Sequence, residues 1–328
     1  MTSALTVNPR KIGRFRSDQA RARFHEAYDN ALAAWKVPPE HVDVATRYGA
    51  THVLCAGHDV GTPIVLLHAL AVASPSWFAN IEALSATHPV FAIDTVADVG
   101  RTKQTTPVRS GEEMSIWLDE VLESLGLEQV HLVGLSYGGW LALNHAQRSP
   151  WRLASVTSVD PPNAIGRGQL SFLIKILPDS LLAIAKSDQA LYRLLRRLNN
   201  GTIPTEPLLD LAVTGLRTFV GRLPTPKRMS DDDLRKIRTP CFLIFCGRSP
   251  VNRAHRAVER SRRLIAQVTT DVIEDAGHML PVEAPEVFAD RLLTFIDSLD
   301  ATNRAADSDR EFRVASESRE DGGEGVDP

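Results

Sequence analysis

Residues Gly134-Leu135-Ser136-Tyr137-Gly138 place a serine between two glycines, after the apolar run Val130–Val133 and before a segment, Gly138–Arg148, that reads as helix. A strand, a tight turn and a helix form the setting in which a serine hydroxyl is lifted out of a sheet as a nucleophile. The same turn leaves the backbone N–H of Tyr137 aimed toward the reacting atom. A serine hydroxyl is a poor nucleophile until a neighbouring base takes its proton. The candidate base is His278, in Glu274-Asp275-Ala276-Gly277-His278 after the last strand-like run. A lone histidine is more often a core or surface residue. This one follows a glycine turn downstream of the serine, in the order serine, acid, histidine of such sites. A tetrahedral oxyanion needs a second N–H beside that of Tyr137. The loop His68-Ala69-Leu70, after the strand-like Pro63–His68, supplies the candidate donor Leu70, with Ala69 as the neighbouring alternative.

These residues need a rigid scaffold, and the pattern of the chain provides one. Strand-like segments Pro63–His68, Pro89–Asp94, Val130–Leu135, Leu153–Asp160, Cys241–Gly247 and Thr269–Ile273 alternate with helix-like Pro75–Ser85, Gly111–Leu125, Gly138–Arg148, Arg253–Ile265 and Pro285–Leu299. Short apolar strands alternating with helices predict an α/β fold with a mostly parallel sheet covered on both faces. A hairpin precedes it, Val42–Tyr48 with Thr51–Ala56, with Gly49 expected in the turn. Before that, Phe24, Tyr28, Ala31, Leu32 and Trp35 share one stripe of a helix over Asp18–Trp35, and Pro38-Pro39 ends it.

Residues 161–235 break the rhythm. They contain helix-like Ser171–Leu177, Leu181–Leu198 and Leu208–Phe219 with no strand between them, as expected of a helical cap inserted over the catalytic edge. The expected organisation is therefore an N-terminal helical extension (1–40), a core (41–160 and 236–300), the cap (161–235) and a disordered acidic tail (301–328).

The chain has 328 residues, 43% hydrophobic and 23% charged, with a net charge of −3, which gives no electrostatic case for nucleic acid. Cys55, Cys241 and Cys246 form no even disulfide set and read as reduced buried thiols, which suits a cytoplasmic location. The N-terminus lacks a signal-peptide h-region, and no apolar run of about 18 residues predicts a membrane span.

Over about residues 40–300 the chain resembles the α/β-hydrolase superfamily, through the LLHAL loop, Asp94, GLSYGG and Ala276-Gly277-His278 followed by Glu283-Ala284-Pro285. Within it the chain is similar to bacterial carboxylesterase-like hydrolases. The resemblance implies a serine nucleophile, a histidine base, an acid partner, a small-molecule acyl substrate, and no cofactor or metal. Two departures stand out. The family usually has His-Gly at the oxyanion loop, where this chain has His68-Ala69, and the extra methyl group is expected to narrow the acyl pocket. The family's acid usually follows the strand Cys241–Gly247, where the expected slot is Pro250 and no carboxylate occurs before Glu259. A second arrangement in this fold puts the acid at the end of the preceding core strand, where this chain has Asp160. The other reading of Asp160 is an Asx turn before Pro161. Asn252 is the runner-up as histidine partner, and Asp275, three residues before His278, is the weakest.

The expected activity is hydrolysis of a small or medium ester or thioester through an acyl-enzyme on Ser136. Other chemistry on the same triad (acyl transfer, C–C hydrolysis, aminopeptidase action) and a non-catalytic ligand-binding module are the alternatives. The oligomeric state is not legible in the sequence.

Overall fold

The computed structural model describes residues 11–58, 60–166, 187–199, 201 and 204–301. The expected helix Ser171–Leu177, the first part of Leu181–Leu198 and nearly all of the acidic tail lie outside them.

Strand β1 (Arg14–Phe15) leads into helix α1 (Asp18–Leu32). Ser17 caps α1 by accepting the Ala20 N–H at 3.1 Å, and Phe24, Ala27, Tyr28 and Ala31 form its buried stripe. Strands β2 (Glu40–Thr46) and β3 (Gly49–Ala56) pair antiparallel in a register that ends at Thr46 opposite Gly49. The hairpin turn is thus Arg47-Tyr48, and Gly49 begins the second strand rather than making the turn. Glycine is still needed there, because its φ is 128° and a Cβ would lie 2.0 Å from the Lys103 carbonyl oxygen.

Next come β4 (Ile64–Leu67), a 3-10 turn (Ser74–Trp77), α2 (Ile81–Ser85), β5 (Val90–Ile93), β6 (Lys103–Gln104), α3 (Gly111–Ser124), β7 (Val130–Leu135), α4 (Tyr137–Arg148) and β8 (Leu153–Val159). The helix expected over Pro75–Ser85 is therefore two short pieces. α5 (Asp188–Leu198), α6 (Leu208–Thr218), β9 (Phe219–Val220) and α7 (Asp231–Lys236) follow. The described chain closes with β10 (Cys241–Cys246), α8 (Ala254–Leu264), β11 (Val268–Ile273), α9 (Leu280–Glu283) and α10, residues 285–301. Among the described residues, those up to Ala289 form one compact unit, and those from Asp290 to residue 301, which are helical, belong to another.

The main sheet runs β11-β10-β8-β7-β4-β5-β3-β2, with β6 added beside β3. Pairs from β5 to β11 are parallel, while β2, β3, β5 and β6 meet antiparallel. Both faces of a parallel strand are covered, so β7 and β10 are buried at every position; β10 is apolar throughout, and the one polar side chain of β7, His131, meets Ser155 Oγ at 2.8 Å. Met114, Trp117, Leu118 and Val121 of α3 pack with Leu141 and Ala142 of α4 on one core cluster with the strands. Parallel register brings the carboxyl ends of β7, β8 and β10 side by side, Leu135 opposite Val159 and Val159 opposite Ile244. That edge is where a doubly wound sheet presents its ligands.

Candidate active site

Ser136 sits between β7 and α4 with φ 54° and ψ −116°, a backbone conformation strained for an L-residue. The two glycines make the turn possible. A Cβ on Gly134 would lie 2.1 Å from the Gly138 carbonyl oxygen, and one on Gly138 would lie 2.1 Å from that of Leu67. The first N–H groups of a helix have no intrahelical acceptor, so Tyr137, the first residue of α4, presents its N–H beside the serine.

His278 lies in the loop between β11 and α9. Its Nε2 is 2.8 Å from Ser136 Oγ and its Nδ1 2.7 Å from Asp160 Oδ2. An ionised carboxylate only accepts, so Nδ1–H donates to Asp160 and Nε2 is left to accept the serine proton. Asp160 follows β8 with φ 43°, is wholly buried, and is anchored by its N–H to the Ile244 carbonyl at 2.8 Å. Ser136, His278 and Asp160 are thus brought into one hydrogen-bonded chain.

Asn252 does not touch the imidazole. Its Nδ2 donates to Asp160 Oδ1 at 2.8 Å and to the Pro161 carbonyl at 3.1 Å, so it holds the carboxylate rather than replacing it. Asp275 is paired on the surface with Arg248. Glu259 is an exposed residue of α8. A residue that sequence reasoning left without a role is Glu283. It accepts the Gly277 N–H at 2.7 Å and the Met279 N–H at 3.3 Å, bracketing His278 from both sides. The signal available for it was a carboxylate one helical turn after a Gly-His pair.

The loop from His68 to Ala73 holds the candidate oxyanion donor. His68 Nε2 accepts the Thr95 N–H at 3.0 Å, so its Nδ1 carries the proton and donates to the Ala69 carbonyl at 2.7 Å. In a trans peptide the N–H points opposite to the carbonyl, so this bond also sets the direction of the Leu70 N–H. Further along, Ala71 and Ala73 have φ of 66° and 58°. Their strain is held by buried carboxylates: Asp98 accepts the Ala71 N–H at 3.0 Å, and Asp94 accepts the Ser74 N–H and hydroxyl at 2.9 and 2.6 Å. Burial raises the Asp98 carboxyl above the usual carboxylate range, opposed by the nearby His68 and by the two N–H groups it accepts.

A cavity of about 340 Å³ opens on this site, reached by Ser136, His278, Ala69 and Leu70. Its far wall is apolar, from Leu194 and Leu198 of α5, Leu208, Ala212 and Leu216 of α6, and Val251. Among the described residues no cluster of histidine, cysteine or carboxylate side chains could hold a metal ion. Cys241 is buried, and burial pushes its thiol up to about 12; Cys55 is only half-buried and is pushed up likewise.

A buried serine–histidine–aspartate chain at the carboxyl edge of a parallel sheet defines a serine hydrolase architecture. The chain belongs to the alpha/beta hydrolase family, whose model matches residues 64–291. It is 27% identical over 292 residues to carboxylesterase YbfK of Bacillus subtilis strain 168, covering 86% of this chain and 96% of that protein. It is also 25% identical to a Bacillus subtilis protein named uncharacterized carboxylesterase nap, covering 84% and 93%. The crystal structure of carboxylesterase CesB (YbfK) superposes with a TM-score of 0.78 at 26% identity, over 85% of this chain and 98% of that one. No helix among the described residues is long and apolar enough to cross a membrane.

Proposed function

We propose that this protein is a carboxylesterase that hydrolyses esters with an apolar acyl group through an acyl-enzyme on Ser136. The carrying observation is the chain Asp160–His278–Ser136, with contacts of 2.7 and 2.8 Å, opening onto an apolar cavity. His278 takes the serine proton as Oγ attacks the ester carbonyl, then gives it to the departing alkoxide. Water repeats the sequence in reverse to release the acid. Asp160 holds the tautomer and offsets the imidazolium charge, while the N–H groups of Tyr137 and Leu70 receive the oxyanion.

In this reading residues 161–235 act as the cap, since α5 and α6 supply most of the apolar wall. Acyl transfer would use the same residues and differ only in the acceptor. A non-catalytic role is disfavoured because a buried carboxylate occupies the position the imidazole requires. The test is hydrolysis of p-nitrophenyl esters of graded acyl length. Burial of each methylene is worth about 0.8 kcal/mol, so kcat/KM should rise about fourfold per carbon until the cavity is full. No turnover of any ester, or a flat profile from acetate to octanoate, would overturn the reading.

A further inference from the structure

Helix α6 bears on the site in two ways. Leu208, Ala212 and Leu216, spaced four apart, place one stripe of it on the cavity. Gly215, one position before Leu216, is packed against the backbone of the oxyanion loop. A Cβ built on it would lie 2.1 Å from the Ala71 carbonyl oxygen, 3.1 Å from the Ala71 carbonyl carbon and 3.2 Å from Val99 Cγ1. No side chain fits between helix and loop.

The opposing faces are fastened. Asp98 accepts the N–H of the same residue, Ala71, at 3.0 Å. The N-terminal segment ties α6 to the loop from outside. Phe15 and Arg14 pair with Phe219 and Val220, the Arg16 N–H donates to the Thr218 carbonyl at 2.9 Å, and Arg23 pairs with Asp210. On the loop side, Tyr28 meets Ser74 Oγ at 3.0 Å and Trp35 Nε1 donates to the Pro75 carbonyl at 3.1 Å.

We infer that α6 is a buttress of the oxyanion loop and that Gly215 is a positioning residue for the chemical step, acting through Ala71. The inference rests on the serine-hydrolase reading above. It separates two functions on one helix: residues 208, 212 and 216 select the acyl group, whereas position 215 sets the placement of the oxyanion donor for every substrate.

An alanine at 215 needs ordinary carbon–oxygen contact of about 3.3 Å. Helix and loop must then part by about 1 Å, a displacement worth about a hundredfold in rate at a reacting centre. The experiment compares wild type, Gly215→Ala and Leu216→Ala on p-nitrophenyl acetate, butyrate and octanoate. Rates are normalised to sites titrated with a fluorophosphonate, and affinity for a trifluoromethyl ketone, which binds as a tetrahedral oxyanion, is measured alongside. Gly215→Ala should lower kcat about a hundredfold for all three esters, with KM little changed and ketone affinity reduced by the same factor. Leu216→Ala should instead change kcat/KM in an acyl-length-dependent way.

Wild-type kcat and ketone affinity in Gly215→Ala, or a loss that tracks acyl length, would overturn the inference while leaving the esterase reading intact. If Gly215→Ala does not fold, Asp98→Ala removes the acceptor of the Ala71 N–H and should show the same uniform loss of kcat and ketone affinity. Unchanged values in that variant would overturn the inference equally. A wild-type protein that neither turns over esters nor reacts with the fluorophosphonate would refute the esterase reading itself.

Discussion

Replacing Asp160 by asparagine should nearly abolish turnover, for a reason built into its surroundings. Asp160 is wholly buried and accepts from two donors, His278 Nδ1–H on one oxygen and Asn252 Nδ2 on the other. An asparagine has one oxygen and one NH2 to offer. With its oxygen toward Asn252, its NH2 faces His278 and requires Nδ1 to accept. The imidazole then carries its proton on Nε2, toward Ser136, and cannot take the serine proton. The reverse orientation sets two NH2 groups against each other. Turning Asn252 over instead would aim its oxygen at the Pro161 carbonyl, to which its NH2 now donates at 3.1 Å. The wrong tautomer is therefore the satisfied one. The corresponding change in serine proteases lowers kcat about 10⁴-fold, roughly 5 kcal/mol in the barrier. The assay is kcat and KM on p-nitrophenyl butyrate, with melting temperature as a check on folding. Adding Asn252→Ala to Asp160→Asn frees the amide to turn its oxygen toward Nδ1, so the double variant should regain part of the lost rate. A kcat for Asp160→Asn within about tenfold of wild type would refute the role of Asp160. A double variant no faster than the single one would refute the orientation argument.

Two other perturbations read different parts of the structure. Glu283→Ala removes the acceptor of the Gly277 and Met279 N–H groups, so kcat should fall about tenfold with KM unchanged, and Glu283→Gln should recover part of it. His145 is wholly buried in α4, and burial lowers its imidazole from 6.5 to about 4, so the folded state excludes a proton that the unfolded chain binds. Its contribution is present above pH 6.5 and is lost as the pH falls from 6.5 toward 4, on the order of 3 kcal/mol. Melting temperatures of wild type and His145→Asn across that window should converge as the pH falls; parallel curves would show that His145 does not titrate there.

The parallel core was legible because strands buried on both faces are short runs dominated by apolar and β-branched residues, complete in Ile64–Leu67 and Cys241–Cys246. The expected strands from Pro63 to Ile273 begin and end within two residues of those in the structure. Ser136 was legible for a related reason: glycines four apart after such a run leave the intervening residue little choice of conformation. Elements held by distant partners were not. The pairing of Arg14–Phe15 with Phe219–Val220 joins two-residue strands about two hundred positions apart, too short to carry a period. Lys103–Gln104 is a strand only because Gly49 and Ala50 run beside it. The bond from Asn252 to Asp160 joins two loops at the ends of the neighbouring strands β8 and β10; residue chemistry alone left Asn252 as the runner-up partner of His278 and did not show that it holds Asp160 instead. Gly215 carries no local signal, since a glycine within an apolar helical pattern reads only as a weak point; its reason is the carbonyl of Ala71.

Acylation of Ser136 is the step on which the proposed reaction depends. Intact-protein mass spectrometry of the protein quenched in acid during steady-state turnover of a p-nitrophenyl ester tests it directly, with peptide mapping to locate the adduct. The expected result is an added mass equal to one acyl group on the peptide holding Ser136, absent in Ser136→Ala, which also loses hydrolysis. An adduct on another residue, or hydrolysis surviving in Ser136→Ala at the wild-type rate, would contradict it.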